Sequence, residues 1–232
     1  MTGCLIGVGV GPGDPDLLTV RADRIVRSAS FVAYPAPDTG QSFARQIVDG
    51  LIPTGVREYP IVVPMRTDRF PAQEIYSAAA RDLSAALESG TDVVVLCEGD
   101  PFFYGSFMYL FARLAERFPT EIVPGVSSLG AVAAAARQPL CARSDVLTIV
   151  PATLPEEDLR QRLAETDAAA IMKLGRHFPK VRRILDDLGL SDRAQYVAHA
   201  SLPQQAVHAL QGAPATAPYF SMVIVPGVDA FV

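Results

Sequence analysis

The sequence is poor in the residues that hold disulfide bonds and metal ions. Its 232 residues include three cysteines and three histidines. The cysteines are an odd number and form no Cys-x-x-Cys pair, which indicates reduced thiols rather than disulfides or a zinc site. The histidines lie too far apart in sequence for local metal-ligand spacing. We therefore expect no metal centre.

Clustered positive charge and long apolar runs are also missing. The chain has 20 Lys and Arg against 25 Asp and Glu, a net charge of -5, and no basic run. This balance argues against a nucleic-acid-binding surface. No apolar run approaches the roughly 18 residues that suggest a membrane helix. The residues after Met1 lead straight into a predicted strand, so we expect no secretory signal and a cytoplasmic location.

Three common nucleotide-binding and catalytic motifs are absent. A Gly-x-Gly-x-Gly run over residues 7–11 suggests a dinucleotide-binding loop, but the third glycine of Gly-x-Gly-x-x-Gly would fall on Pro12 or Asp14. No Gly-Lys-Ser/Thr supports a phosphate-binding P-loop. No Gly-x-Ser-x-Gly supports a hydrolase elbow. The sequence therefore does not favour a nicotinamide, nucleoside triphosphate or serine hydrolase site.

The first half of the chain alternates buried strands with amphipathic helices. This alternation is typical of a mostly parallel sheet. Thr19 is placed to cap the first helix. Further helices are predicted over Ser42–Gly50, over Pro71–Ser89 and in the segment after Ser106. The predicted strands are Leu5–Val10, Phe31–Tyr34, Val56–Val63 and Asp92–Cys97.

The pattern changes around Thr120–Gly125, a short strand stopped by Pro-Gly. We place a domain boundary there, which gives an N-terminal α/β domain with a parallel sheet over 1–120 and a C-terminal α/β domain with a mixed sheet over 121–232. The connection 203–218 is predicted as a loop or a partly extended hairpin. The later strands are predicted over Val146–Val150, Ala168–Lys173, Gln195–Ala200 and Phe220–Val225.

The acidic loop 98–106 follows a strand that is predicted to be buried on both faces. In open parallel sheets, ligands bind outside the carboxyl ends of the strands. Pro101 removes a backbone donor, while Gly99 and Gly105 permit a ligand to approach the backbone closely. The alternative is a simple turn with an exposed aromatic pair.

These segments together resemble the tetrapyrrole methyltransferases of corrin and sirohaem biosynthesis, and the likeness is colinear across nearly the whole chain. Tyr34–Pro37, the loop from Glu98 to Leu110 and Pro218–Met222 resemble the branch that methylates precorrin-2 at C-20. The family motifs are Gly9-Val-Gly-Pro-Gly-Asp-Pro15 with Leu17-Leu-Thr19 and Ala22, Gly99-Asp-Pro101 with Tyr104-Gly105, Val123-Pro-Gly-Val-Ser-Ser128, Ala200-Ser201 with Gln205, and the strand Met222–Val225.

The resemblance implies the two-domain α/β tetrapyrrole methylase fold, also called the class III methyltransferase fold, with S-adenosylmethionine in a cleft between the domains. It also implies a homodimer and a tetrapyrrole polycarboxylate, precorrin-2, as the substrate. Glu98 replaces a glycine that many relatives carry, and His199 replaces a common arginine. The expected cofactor-binding residues are Pro12, Glu98, Gly99, Asp100, Phe103, Ser127, Ser128, Met172, Ala200 and Met222.

A substrate with many carboxylates predicts local positive charge in spite of the acidic total. Arg143, Lys173 and Arg176 follow predicted loops or strand ends and are candidates, although each is equally explained as an ordinary solvated charge. Phe102 and Tyr104 are candidates for stacking on the macrocycle, with core packing beneath the loop as the alternative.

The expected chemistry is in-line methyl transfer from a sulfonium to C-20 of precorrin-2, giving precorrin-3A. Alignment of carbon, methyl and sulfur is then the main task of the protein. The sequence singles out no general base. Three alternatives stay open: the cobalt-containing form of precorrin-2 as substrate, methylation of another corrin position, and a non-catalytic tetrapyrrole-binding module.

Overall fold

The computed structural model of the chain describes residues 1–64 and 70–228. It divides the chain into two units, Met1–Ser127 and Ser128–Val232. The sequence placed the boundary between residues 120 and 121 instead. The difference arises because Thr120–Val123 pairs in parallel with Leu5–Val8 and so belongs to the N-terminal sheet. The last four residues of the predicted domain 121–232 lie outside the described residues.

The N-terminal unit alternates strands and helices, as the sequence pattern predicts. Among its described residues, the sheet has the strand order β3-β2-β4-β1-β5, and every pairing in it is parallel. The carboxyl ends of its strands therefore meet at one edge. The elements are β1 (Leu5–Gly9), α1 (Val20–Ser28), β2 (Phe31–Ala36), α2 (Phe43–Ile47), β3 (Arg57–Val62), α3 (Phe70–Glu88), β4 (Val93–Cys97), α4 (Phe107–Leu114) and β5 (Thr120–Val123).

The central strand β4 is buried on both faces because helices cover both sides of the sheet. Val93, Val95 and Cys97 pack with residues of α3 and α4. Val94 and Leu96, which alternate with them, pack with residues of α1 and α2. A continuous apolar run is what a strand with two buried faces requires.

Close packing of α4 on the sheet depends on Gly7 of β1. A Cβ atom at Gly7 would lie 2.5 Å from the ring of Phe107. This confirms that the glycines of the first strand let a neighbouring group pack closely. Pro60, which interrupts the apolar pattern of β3, is tolerated because β3 is an edge strand and needs fewer ladder hydrogen bonds.

The C-terminal unit contains a mixed sheet. Among its described residues, the strand order is β6-β7-β10-β8-β9. β6 and β7 are parallel, and the other pairings are antiparallel. The connection 203–218 is a hairpin in part, because β9 pairs with β8. The elements are α5 (Ser128–Ala136), β6 (Leu147–Pro151), α6 (Glu156–Ala164), β7 (Ala168–Met172), α7 (Phe178–Asp187), β8 (Gln195–Ala198), β9 (Ala206–Ala209) and β10 (Ser221–Val225).

The two faces of this second sheet differ in what covers them. The larger apolar cluster includes residues of α6 and α7, such as Leu163 and Phe178. The opposite face packs against α5 through Val132 and Ala136. Because β7 and β8 both run antiparallel to β10, their carboxyl ends lie at the same edge as the start of β10.

Candidate functional site

The loops that follow β1 and β4 are joined at the carboxyl edge of the N-terminal sheet. The N–H of Gly99 donates to the carbonyl of Gly11 at 2.7 Å, and the N–H of Gly11 donates to the carbonyl of Gly99 at 3.3 Å. Both glycines have positive φ angles, 78° and 64°, which side chains rarely permit. Pro12 is half-buried and directly follows this bridge. Pro12 and Gly99 therefore lie at the same pair of joined loops.

Asp100 holds two backbone N–H groups with its carboxylate. Oδ1 accepts from the N–H of Phe102 at 2.9 Å, within its own loop. Oδ2 accepts from the N–H of Gly125 at 3.0 Å, in the loop that follows β5. The side chain therefore connects two loops at the carboxyl edge.

The glycines of these loops are required by contacts between backbones. A Cβ atom at Gly125 would lie 2.0 Å from the carbonyl oxygen of Gly99, and one at Gly9 would lie 2.5 Å from the nitrogen of Gly125. At Gly105 a Cβ atom would lie 2.5 Å from the carbonyl oxygen of Pro101. The sequence predicts that Gly99 and Gly105 permit close approach by a ligand. At Gly105 the contacts show packing within the loop, and the prediction for Gly99 stays a prediction.

Glu98 lies at the end of the central strand β4, largely removed from solvent. Burial raises the pKa of its carboxyl group, and the backbone N–H groups of Glu98 and Ala44 oppose that rise in part. Ala44 belongs to the first turn of α2. The carboxyl group is therefore directed toward α2, on the face of the sheet that α1 and α2 cover.

The aromatic residues of the loop after β4 are partly packed and partly exposed. The ring of Phe102 makes an edge contact with Phe111, with ring centroids 5.1 Å apart. It remains 48% exposed, and Tyr104 remains 45% exposed. Phe103 is half-buried, and its ring centroid lies 5.3 Å from that of Tyr104. Both the packing and the stacking interpretations of Phe102 and Tyr104 stay compatible with this arrangement.

A groove of about 510 Å³ is lined by residues of β2, β3 and α2. Tyr34, from the motif shared with the C-20 branch, lines it and donates from its hydroxyl to Glu58 at 2.8 Å. Arg45 also lines it and donates to Glu58 at 2.8 Å and to Asp49 at 2.6 Å. Hydrogen bonding from Arg45 lowers the pKa of Glu58. The charge of Arg45 is therefore already balanced by two carboxylates.

In the C-terminal unit, three of the predicted cofactor residues lie in one apolar cluster. Met222 is buried in it, and Met172 and Ala200 pack against it, on the face that α5 covers. α5 begins at Ser128, directly after Ser127, and both serines are half-buried. The structure therefore brings together Met172, Ala200 and Met222 at the carboxyl edge of β7 and β8.

Residues with left-handed backbone conformations follow both of these strands. Lys173 after β7 has φ 57°, and His199 and Ser201 after β8 have φ 52° and 68°. Non-glycine residues in this region are uncommon and cluster at functional sites. The backbone N–H of His199 donates to the carbonyl of Phe220 at 2.8 Å. Its Nδ1 atom is buried and has no hydrogen-bond partner among the described residues.

The predicted basic residues do not lie together. Lys173 and Arg176 are exposed and follow β7 at its carboxyl end. Arg143 precedes β6, which is parallel to β7, so it lies toward the opposite edge of the sheet. β6 has five residues and spans roughly 16 Å. Arg143 and Lys173 therefore do not form one cationic patch at the edge where Met172 lies.

The described residues, 1–64 and 70–228, also bear on metal binding and on membrane crossing. No group of three or more His, Cys, Asp or Glu side chains in that part of the chain could hold a metal ion. No helix among the same residues is both long and apolar enough to cross a membrane.

A comparison with family models decides the family. The model for tetrapyrrole (corrin/porphyrin) methylases matches residues 4–214. The chain belongs to this family. The resemblance noted in the sequence is thereby confirmed.

Curated relatives of this tetrapyrrole methylase include enzymes named for position C-20. A precorrin-2 C(20)-methyltransferase from Sinorhizobium sp is 43% identical over 97% of the chain and 96% of that protein. A cobalt-precorrin-2 C(20)-methyltransferase from Salmonella typhimurium is 31% identical over 97% of each chain.

Solved structures of tetrapyrrole methylases share the fold. A cobalt precorrin-4 methyltransferase superposes with a TM-score of 0.74 at 24% identity, covering 96% of this chain and 94% of that one. A uroporphyrin-III C-methyltransferase from Thermus thermophilus, complexed with S-adenyl homocysteine, has a TM-score of 0.67 at 24% identity over 96% and 97% of the two chains. These likenesses confirm the expected α/β fold with two sheets.

At the carboxyl edge of β7 and β8, apolar surface lies beside a buried polar atom, a combination that suits a nucleoside. Met172 and Met222 supply apolar surface next to Ala200, and the Nδ1 atom of His199 supplies a buried polar atom that lacks a partner among the described residues. The sequence interpretation left His199 and Gly125 out of the candidate site. Gly125 was present in the Val-Pro-Gly-Val-Ser-Ser motif, but the partner of its N–H becomes visible only in the folded chain.

Proposed function

We propose that this protein transfers a methyl group from S-adenosylmethionine to C-20 of precorrin-2, giving precorrin-3A in cobalamin biosynthesis. The observation that carries the proposal is the 43% identity over 97% of the chain to a precorrin-2 C(20)-methyltransferase. The C-20 features of the sequence, Tyr34–Pro37 and the loop that begins at Glu98, agree with this assignment.

S-adenosylmethionine supplies an electrophilic methyl group on a positively charged sulfur. In our proposal, Pro12, Glu98, Gly99 and Asp100 form the cofactor-binding edge of the N-terminal unit, with Phe103 beyond them. The bridge between Gly11 and Gly99 joins two loops of this edge. Alignment of the reacting atoms can supply about 7–11 kcal/mol of barrier reduction.

The methionine part of the cofactor is assigned to the residues at the start of α5, and the adenosine part to residues of the C-terminal unit. Ser127 and Ser128 are proposed to hold the methionine part. Met172, Ala200 and Met222 are proposed to enclose the adenosine, because their apolar cluster at the end of β7 and β8 offers a surface suited to an adenine ring.

For the tetrapyrrole, the exposed halves of Phe102 and Tyr104 offer faces on which a macrocycle can stack. Lys173 and Arg176 share the carboxyl edge of the C-terminal sheet and are proposed to meet substrate carboxylates. Arg143 is a weaker candidate because it lies toward the other edge of that sheet. Arg45 is not proposed for this role, since Glu58 and Asp49 already balance its charge.

The metal-free substrate is favoured over the cobalt form. The chain is 43% identical to the relative named for precorrin-2 and 31% identical to the one named for cobalt-precorrin-2. Methylation at another ring position and tetrapyrrole binding without turnover are the remaining alternatives.

The test is a rate comparison with S-adenosylmethionine that carries a radioactive methyl group. Purified protein is incubated with metal-free precorrin-2, with cobalt-precorrin-2, or with no tetrapyrrole as the blank. We expect label in the tetrapyrrole, with the higher kcat/KM on the metal-free substrate. A higher kcat/KM on the cobalt form would reverse the substrate assignment. Tight tetrapyrrole binding without label transfer would support the non-catalytic module.

A homodimer and a cytoplasmic location belong to the same proposal. The chain has a mass of 24.8 kDa, so light scattering should give about twice that value. A monomeric mass would overturn the dimer without affecting the proposed reaction.

A further inference from the structure

We propose that the side-chain carboxylate of Asp100 is a positioning group. It fixes the loop after β5 through Gly125 and so places Ser127 for the cofactor, while the backbone of Asp100 stays part of the cofactor-binding edge. This inference rests on the proposed function, because it concerns how the cofactor-binding edge is held in shape.

Both oxygens of the Asp100 carboxylate are engaged with backbone. Oδ1 accepts from Phe102 at 2.9 Å and fixes the conformation of the loop after β4. Oδ2 accepts from Gly125 at 3.0 Å and fixes a second loop against the first. Hydrogen bonds from backbone N–H groups to a carboxylate are charge-assisted and stronger than neutral ones.

The second loop has little freedom once Gly125 is held. Four residues, 124–127, connect the end of β5 to the start of α5. Gly125 packs its backbone against Gly9 and Gly99, so closely that a Cβ atom would lie 2.0 Å from the carbonyl oxygen of Gly99. Ser127 is two residues further on. A change at Asp100 is therefore transmitted to Ser127 over a very short length of chain.

The test compares Asp100→Asn with a matched control at the other end of the same strand. Asp92 precedes β4, and its Oδ1 accepts from the N–H of Cys4 at 2.7 Å. Each variant changes one carboxylate that connects two segments of the N-terminal unit. An asparagine at 100 that keeps its oxygen on Phe102 turns its NH₂ group toward the N–H of Gly125, so two donors face each other. Asp92→Asn leaves the carboxyl edge intact.

Two quantities are measured on the wild-type protein and on each variant. The first is the Kd for S-adenosylhomocysteine, by titration calorimetry. The second is the hydrogen-exchange rate of the peptide that contains residues 124–127, without ligand. We expect Asp100→Asn to raise the Kd by roughly tenfold and by at most about a hundredfold, because binding must then order a loop that has lost a charge-assisted hydrogen bond. We also expect faster exchange in 124–127. Asp92→Asn should leave the Kd within about twofold of wild type.

A weaker Kd with unchanged exchange in 124–127 would mean that the Asp100 carboxylate contacts the cofactor directly, and would overturn the positioning role. An unchanged Kd in both Asp100→Asn and Asp100→Ser would overturn it as well, because asparagine can keep its oxygen on Gly125 whereas serine cannot reach it. If circular dichroism shows that Asp100→Asn is unfolded, the test is made with Asp100→Ser alone. The serine hydroxyl can accept from the N–H of Phe102 but is too short to reach Gly125. Failure of the wild-type protein to bind S-adenosylhomocysteine would instead contradict the proposed function.

Discussion

The Oδ2 atom of Asp100 lies 3.0 Å from the backbone nitrogen of Gly125, and this hydrogen bond joins the loops that follow strands β4 and β5. Together with the Gly11–Gly99 bridge, it connects the carboxyl ends of three neighbouring strands. The candidate cofactor edge of the N-terminal unit is thus built by backbone contacts that particular side chains hold in place.

Gly125→Ala should destabilise the protein by about 1–3 kcal/mol, the usual cost of forcing an extra methyl group into a packed site. The new Cβ atom would lie 2.0 Å from the carbonyl oxygen of Gly99, which is backbone and cannot turn aside. The free energy of unfolding in urea measures the effect.

Gly130→Ala is the matched control for that substitution. Gly130 lies in α5, where a Cβ atom meets nothing within 4 Å. Alanine there should stabilise the protein by about 0.5–1 kcal/mol, because it replaces a flexible glycine within a helix. Equal effects from the two substitutions would contradict the close packing of Gly125.

Glu98→Gln should stabilise the protein at neutral pH and leave it nearly unchanged at pH 4. Burial raises the pKa of Glu98 in the folded state, so the folded chain binds its proton more tightly than the unfolded chain does. The stability associated with the protonated form is present below the unfolded pKa and is lost as the pH rises through the folded pKa. Glutamine does not ionise and escapes this loss.

The measurement for Glu98 is the thermal midpoint from pH 4 to pH 8. Glu116, which is exposed, provides the control in Glu116→Gln. If the thermal midpoint of Glu98→Gln differs from that of wild type by the same amount at every pH, the pKa of the Glu98 carboxyl group is not raised in the folded protein.

The three thiols should differ in reactivity toward Ellman's reagent. Cys141 is exposed, Cys4 is half-buried and Cys97 is buried. Burial raises the pKa of Cys97 to about 12, so almost no thiolate is available there at neutral pH. We expect the fastest phase to come from Cys141 and to disappear in Cys141→Ser. Cys97 should react only after unfolding, and rapid labelling of Cys97 in the native protein would contradict its burial at the end of β4.

Much of the fold follows from local sequence patterns. The β-branched run before Cys97 predicts β4 because it suits a strand with two buried faces, and helical spacing from Phe107 to Leu114 predicts α4. The unit to which Thr120–Val123 belongs is not a local property, since its partner in the sheet is Leu5–Val8. The predicted boundary between residues 120 and 121 therefore falls within this strand.

The candidate site was also predictable only in part, because some of its contacts depend on residues that are distant in sequence. The loops were visible in the sequence because proline and glycine mark them, and the family resemblance named most of the residues. The partner of Asp100 was not predictable, because Gly125 reaches it only through pairing of β1 with both β4 and β5. The location of Arg143 away from Lys173 likewise depends on the strand direction of β6, which the residues around 143 do not specify.

The proposed reaction is tested most directly by locating the transferred carbon. The protein is incubated with metal-free precorrin-2 and S-adenosylmethionine that carries a ¹³C-labelled methyl group, and the tetrapyrrole is analysed by ¹³C NMR. We predict one enriched methyl signal, attached to C-20. Enrichment of a methyl on any other carbon, or a tetrapyrrole without enrichment, would contradict the proposal.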